Sequence, residues 1–106
     1  MLVHGPSMVP TLRHGDQLLV LRRRRARDGS LVVVRLPEDR LAVKRLIRSV
    51  DGGEIWVEGD NPLASTDSRS LGLLPAISVL GVPFARIWPR PRVLIRAAMP
   101  DRAMPT

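Results

Sequence analysis

The sequence contains no cysteine, no tyrosine, one phenylalanine and two tryptophans. The missing thiols exclude a disulfide framework and a thiolate zinc site, and leave the redox compartment open. The scarcity of aromatics removes the stacking platform on which single-strand binders rely. No recognition helix is visible either, so no nucleic-acid partner is expected. No stretch approaches the roughly 18–20 apolar residues of a spanning helix. The longest apolar runs are Leu18–Leu21, Leu31–Val34 and Leu71–Leu74, the last broken by Gly72. The N-terminus lacks the charged, apolar and small-residue succession of a signal peptide. With 106 residues, the chain has room for one core and one domain.

Lysine is nearly absent too. Of 17 basic residues, 16 are arginine and only Lys44 is lysine. Arginine keeps its proton in proteins and lysine does not always, so the one retained lysine is a candidate for proton transfer. Ten acidic residues leave a net charge of +7, which suits an acidic partner or an anionic membrane face. The run Arg22-Arg23-Arg24-Arg25-Ala26-Arg27 lies between two strand candidates. It reads first as a solvated hairpin tip and second as a peripheral contact with an anionic membrane.

What is present is a series of short β-type runs broken by turn residues. Strands are expected at Gln17–Arg22, Ser30–Leu36, Leu41–Ser49, Glu54–Glu58 and Ile77–Trp88, the last bent at Gly81 and Pro83. Asp51-Gly52-Gly53 reads as a hairpin turn, and residues 59–70 as a polar loop. The fold class expected is mainly β: a small antiparallel domain with long loops over residues 1–88. A Pro/Arg-rich, loosely ordered tail is expected over 89–106.

Three segments carry chemistry. Ser7 lies between Pro6 and Pro10 in Gly5-Pro6-Ser7-Met8-Val9-Pro10-Thr11, where restricted backbone freedom suits a nucleophile. Lys44 lies in Leu41–Ile47; in a strand, Ala42, Lys44 and Leu46 share one side, which sets the ammonium on an apolar face. A free lysine, with pKa about 10.4, is only about one part in 2,500 neutral at pH 7. Burial disfavours its charged form and makes it a usable base. The third segment, Gly59–Arg69, gathers Asp60, Ser65, Asp67 and Arg69. Here Asp67 and Arg69 can pair, and Ser65 can orient a buried amine. Each segment also has a plainer reading, as an ordinary turn, a snorkelling lysine and a solvated loop. His4, His14 and Asp16 lie near Ser7 in sequence, but fit neither a catalytic triad nor a metal site well.

Taken together and in this order, the motifs resemble the type I signal peptidase family of serine-lysine proteases. The resemblance covers residues 3–83. Ser7–Thr11 is similar to its nucleophile motif and Val43-Lys44-Arg45 to its general-base motif. Gly59-Asp60-Asn61 with Ser65, Asp67, Ser68, Arg69 and Gly72 is similar to its C-terminal signature. Asp28–Val33 is similar to a further strand motif, with Ser30 where an aspartate is usual. The resemblance implies a Ser7 nucleophile, a neutral Lys44 base, Ser65 on the lysine amine, and a supporting Asp67–Arg69 pair with Asp60 nearby. It assigns Gly5, Met8 and Pro10 to the substrate and oxyanion region, with the Ser7 N–H as one donor. Gly5 stands where some members carry a hydroxyl. No cofactor and no metal is implied. The substrate implied is a protein with a cleavable N-terminal segment, bound as an added strand with small side chains at the scissile bond. Membrane association is expected through an anchor upstream, and a soluble cytoplasmic enzyme without one. The Gly5–Leu12 opening and Gly59–Pro62 are also similar to the small maturation proteases of nickel-type superoxide dismutase. Two rivals remain: a self-cleaving Ser/Lys domain of repressor type, and a basic, non-catalytic module binding membrane or nucleic acid.

Overall fold

The computed structural model describes residues 1–22 and 25–94. Arg23, Arg24 and residues 95–106 of the expected tail lie outside the described residues. Seven strands form one sheet: β1 (Gln17–Arg22), β2 (Leu31–Leu36), β3 (Arg40–Val50), β4 (Glu54–Glu58), β5 (Leu74–Pro75), β6 (Val79–Trp88) and β7 (Arg92–Val93). All pairings are antiparallel, in the order β1-β6-β2-β3-β4-β5, with β7 added to β6. Among the described residues the α-helix content is one turn, α1 (Ser68–Leu71). The fold is mainly β, as the turn-punctuated apolar runs imply.

Strand β2 is the spine. Its β-branched run favours extended backbone, and period-two alternation sends its side chains to two cores. Leu31 and Val33 pack with Val3, Met8, Leu12, Leu18 and Val43. Val32, Val34 and Leu36 pack with Leu46, Ile55, Val57 and Leu74. Full burial of each such side chain contributes about 1.5–3 kcal/mol, so the strand is clamped from both sides. The β3–β4 hairpin turns over Asp51-Gly52-Gly53, as expected. Its two glycines take φ of 95° and 81°, a region in which other residues are strained.

Between β1 and β2 the expected hairpin does not form. Strand β6 runs between them, pairing Arg22 with Gly81 on one side and Val33 with Gly81 on the other. The arginine run therefore joins two strands that are not neighbours, and the hairpin-tip reading is corrected. Gly81 permits the crossing: a Cβ there would lie 2.7 Å from Val20 Cγ1 and 2.9 Å from the Leu21 carbonyl oxygen. Strand β6 begins at Val79, because residues 76–78 turn as a short 3-10 helix. The sheet also continues past the expected boundary at 88. Arg92–Val93 pair with Ala85–Arg86, and the Leu94 N–H donates to the Phe84 carbonyl at 2.8 Å.

Residues 1–16 form a loop fastened to the sheet. Val3, Met8 and Leu12 enter the first core. The Val3 N–H donates to the Asp16 carbonyl and the Gly15 N–H to the Val3 carbonyl, at 2.9 and 2.8 Å. Asp16 is buried, accepting from the Arg13 N–H at 2.9 Å and from Arg86 Nη1 at 3.3 Å. These anchors hold the Ser7 segment against β3.

Candidate active site

Lys44 lies in β3, opposite Val32 of β2, and is only 3% exposed. Strand alternation sends Val43 into the first core, while Ala42 and Leu46 pack with the second. Lys44 Nζ donates to Ser65 Oγ at 3.0 Å, and Ser65 Oγ donates to Asp67 Oδ2 at 2.7 Å. Burial lowers the pKa of the amine. The charge of Asp67 opposes that, and the charges of Arg40 and Arg69 push it lower again.

Asp67 is the fixed anion of the site. It is 1% exposed and caps α1. Its carboxylate accepts from Arg69 Nε at 3.1 Å, Arg69 Nη2 at 2.6 Å, the Arg69 N–H at 3.0 Å and the Gly59 N–H at 2.7 Å. Burial alone would raise its pKa. The donors from Arg69, Ser65 and the two backbone amides outweigh burial and hold the carboxyl far below the usual range. Arg69 Nη2 also donates to the Gly59 carbonyl at 3.0 Å. Gly59 is the point where the two halves of the site close. A Cβ there would overlap Ser65 Oγ and lie 2.7 Å from both Ser65 Cβ and the Ser7 carbonyl oxygen.

Asp60 does more than stand nearby. Its Oδ1 accepts from Arg45 Nε at 3.0 Å; its Oδ2 accepts from Arg45 Nη2 at 2.8 Å and from Thr11 Oγ1 at 2.5 Å. Burial raises its pKa, but the bonds from Arg45 and Thr11 win and lower it. Arg45 Nη1 reaches the Gly29 carbonyl at 2.8 Å. Beside it, the Asn61 N–H donates to the Ser7 carbonyl at 2.8 Å and Asn61 Nδ2 to the Pro6 carbonyl at 3.1 Å. Gly59–Asn61 thus ties the Ser7 loop to the lysine strand. Sequence reasoning missed the roles of Thr11, Arg45 and Asn61, although all three lie in the motifs it used.

Ser7 and Lys44 line one cavity of about 430 Å³, together with Gly5, Arg40, Ala42 and Thr66. Among the described residues no hydrogen bond joins Ser7 Oγ to Lys44 Nζ. Met8 and Pro10 do not line the cavity. Met8 is buried in the first core, and its Sδ accepts from the Asp60 N–H at 3.4 Å, which corrects its expected place beside substrate. Gly5 does line it, with its own N–H committed to His14 Nδ1 at 2.9 Å. That role for His14 had no signal in the sequence, because the contact closes a loop between residues nine positions apart and His14 is exposed. His4 and His14 meet edge to face at 5.7 Å, and Asp16 points to Arg13 and Arg86 instead, so no triad forms.

A buried amine of lowered pKa spends more of its time neutral at pH 7, and its neutral form has a lone pair to accept a proton. One hydroxyl orients it, and a second hydroxyl shares its cavity. Such an arrangement supplies a base and a nucleophile without histidine.

Comparison with known proteins yields a consistent set of matches. A model of the Peptidase S24-like family matches residues 1–81. The mitochondrial ATP-independent inner membrane protease subunit 1a of Arabidopsis thaliana is 36% identical over 115 residues, spanning 82% of this chain and 68% of that protein. The mitochondrial inner membrane protease subunit 1 of Schizosaccharomyces pombe is 31% identical over 115 residues, spanning 85% and 73%. The LexA repressor of Dechloromonas aromatica is 46% identical over 61 residues, spanning 57% of this chain but 29% of that protein.

Proposed function

This chain belongs to the Peptidase S24-like family and is a serine peptidase of signal-peptidase type; from that premise we propose that Ser7 is its nucleophile and Lys44 its general base. It removes an N-terminal segment from a protein substrate. Neutral Lys44 takes the proton of Ser7 Oγ as that oxygen bonds to the scissile carbonyl carbon. The carbonyl oxygen becomes an oxyanion, with the Ser7 N–H as donor. Lys44 then gives the proton to the departing amine as the C–N bond breaks, leaving an ester on Ser7. A water deprotonated by the same amine releases the acid and restores the hydroxyl. Ser65 and Asp67 orient the amine, Arg69 fixes Asp67, and Asp60 holds the two segments together. In this reading the Ser7–Lys44 hydrogen bond forms with substrate bound, since catalytic bonds commonly reach their working geometry only in the substrate complex.

The observation that carries it is the buried Lys44 amine, held by Ser65 on one side and facing the cavity of Ser7. The test is peptide cleavage by purified variants. Ser7→Ala and Lys44→Arg each reduce kcat by at least about 10⁴-fold; full activity in Lys44→Arg ends the dyad reading.

The catalytic domain of this proposal takes in residues 1–88 and strand β7. The names of the relatives are those of inner membrane proteases and lend nothing to the narrower nickel-dismutase branch. We extend that membrane setting to this chain as peripheral contact with an anionic membrane. Exposed Ile87, Trp88 and Val93 beside Arg90 and Arg92 support it. The partial match to LexA favours one further reading, self-cleavage. Incubating the pure chain alone at alkaline pH and weighing it by mass spectrometry tests that; an unchanged mass rejects it.

A further inference from the structure

The cavity that holds Ser7 and Lys44 has the Arg40 cation on its wall, and among the described residues no aspartate or glutamate lines it. Arg40 opens β3, is exposed, and among the described residues takes part in no hydrogen bond or ion pair with a side chain. On β3, side chains 40, 42 and 44 point the same way, so Arg40 lies on the same face as the amine, two pleats along. Its charge also reaches that amine, since it is one of the groups lowering the Lys44 pKa.

The strand between them has a free side. Residues Arg40–Lys44 pair with β2 through Leu36–Val32. The β4 ladder takes up only Arg45–Val50. Five residues of backbone therefore present an open edge to the cavity, a place for an extended peptide to add as a strand. Four residues at about 3.3 Å each separate Arg40 from Lys44 by roughly 13 Å along that edge. With a scissile carbonyl at Ser7, a peptide laid there brings a residue about four positions away opposite Arg40.

We propose that Arg40 is a specificity-determining residue, selecting protein substrates that carry an aspartate or glutamate about four residues from the cleaved bond. This rests on the Ser7/Lys44 reading, because it takes the scissile bond to sit at those residues. Ala42, between Arg40 and the amine, leaves room for the intervening side chain. The pair is worth a modest factor, since Arg40 is exposed: about 1.5-fold to fivefold in kcat/KM over glutamine at that position.

Binding of the acid has a second consequence. The other charges acting on the amine are Asp67, which raises its pKa, and Arg69, which lowers it. A substrate carboxylate on Arg40 offsets one of the two lowering cations. The acid limb of kcat therefore moves to higher pH with acidic peptides, while KM falls. A purely structural Arg40 would not couple substrate charge to that limb.

The experiment uses the full chain and quenched-fluorescence peptides on an alanine-rich frame. A single glutamate is walked from two to five residues away on each side of the cleaved bond, against glutamine controls. Wild type shows one position of preference, Arg40→Gln brings the ratio there to about one, and Arg40→Glu reverses it in favour of lysine. The acidic-to-neutral ratio is an internal control for any loss of folded enzyme. A flat glutamate scan, or a preference that survives Arg40→Gln, overturns the proposal while leaving Ser7 and Lys44 untouched. Failure to cleave any peptide overturns both readings together.

Discussion

Substituting Gly59 by alanine adds one methyl at the narrowest point of the site. The new Cβ would stand 2.7 Å from Ser65 Cβ and 2.7 Å from the Ser7 carbonyl oxygen, where ordinary contact begins at 3.4 Å. Each neighbour must retreat by about 0.7 Å, the difference between those distances. Neither is a flexible side-chain end. Ser65 carries the bond to Lys44 Nζ and the bond to Asp67, at 3.0 and 2.7 Å. The Ser7 carbonyl is held by the Asn61 N–H at 2.8 Å. Relief therefore drags the amine and the nucleophile loop apart. Misplacement near 1 Å costs on the order of 10²-fold in rate, so kcat of Gly59→Ala falls by about tenfold to a hundredfold. Overpacking costs about 1–3 kcal/mol, which lowers Tm by roughly 5–15 °C for a domain of this size. The assay pairs thermal unfolding with peptide cleavage at a temperature where the variant is fully folded. A folded Gly59→Ala with the wild-type kcat would refute the claim that the two segments close on that α-carbon.

Other perturbations separate the parts of the site. Cleavage rises with pH through the lowered pKa of Lys44 and fails as the amine protonates below it; a flat rate from about pH 6 to about pH 9 would contradict a lysine base. Asp67→Asn leaves Arg69 without its anion and weakens the bonds from Ser65 and the Gly59 N–H, costing about 1–3 kcal/mol in denaturant unfolding; a cost near zero would count against the pair as a brace. In the native protein the same carboxyl is held low. Its contribution is thus fully present above about pH 4 and lost as pH falls through the lowered value, so acid unfolding of Asp67→Asn is shallower. Asp60→Asn weakens the Thr11 and Arg45 bonds together. It raises KM and lowers Tm by a few degrees, corresponding to about 1–2 kcal/mol; unchanged Tm would leave the seam without a role.

Much of this was legible in the chain itself. Strands Gln17–Arg22 and Glu54–Glu58 have the bounds that their β-branched and apolar patterns imply, and the β3–β4 hairpin follows from two glycines at its turn. Lys44 stood out because arginine fills every other basic position. Its burial follows from strand alternation against apolar neighbours. Local rules suffice there, since period, turn chemistry and residue type act over a few positions.

Contacts between distant segments needed the folded chain. Nothing local told that β6 would run between β1 and β2, because that pairing joins residues about sixty positions apart and depends on the missing Cβ of Gly81. Thr11 and Asp60, 49 residues apart, meet only once the N-terminal loop packs on the sheet. Arg40 acquires its meaning the same way: its open strand edge exists only because β4 stops pairing at Arg45. Composition and periodicity decide what each segment can become, since those are properties of neighbours in the chain. Which segments meet is a property of the whole core, where burial of both faces of β2 selects one arrangement of the strands.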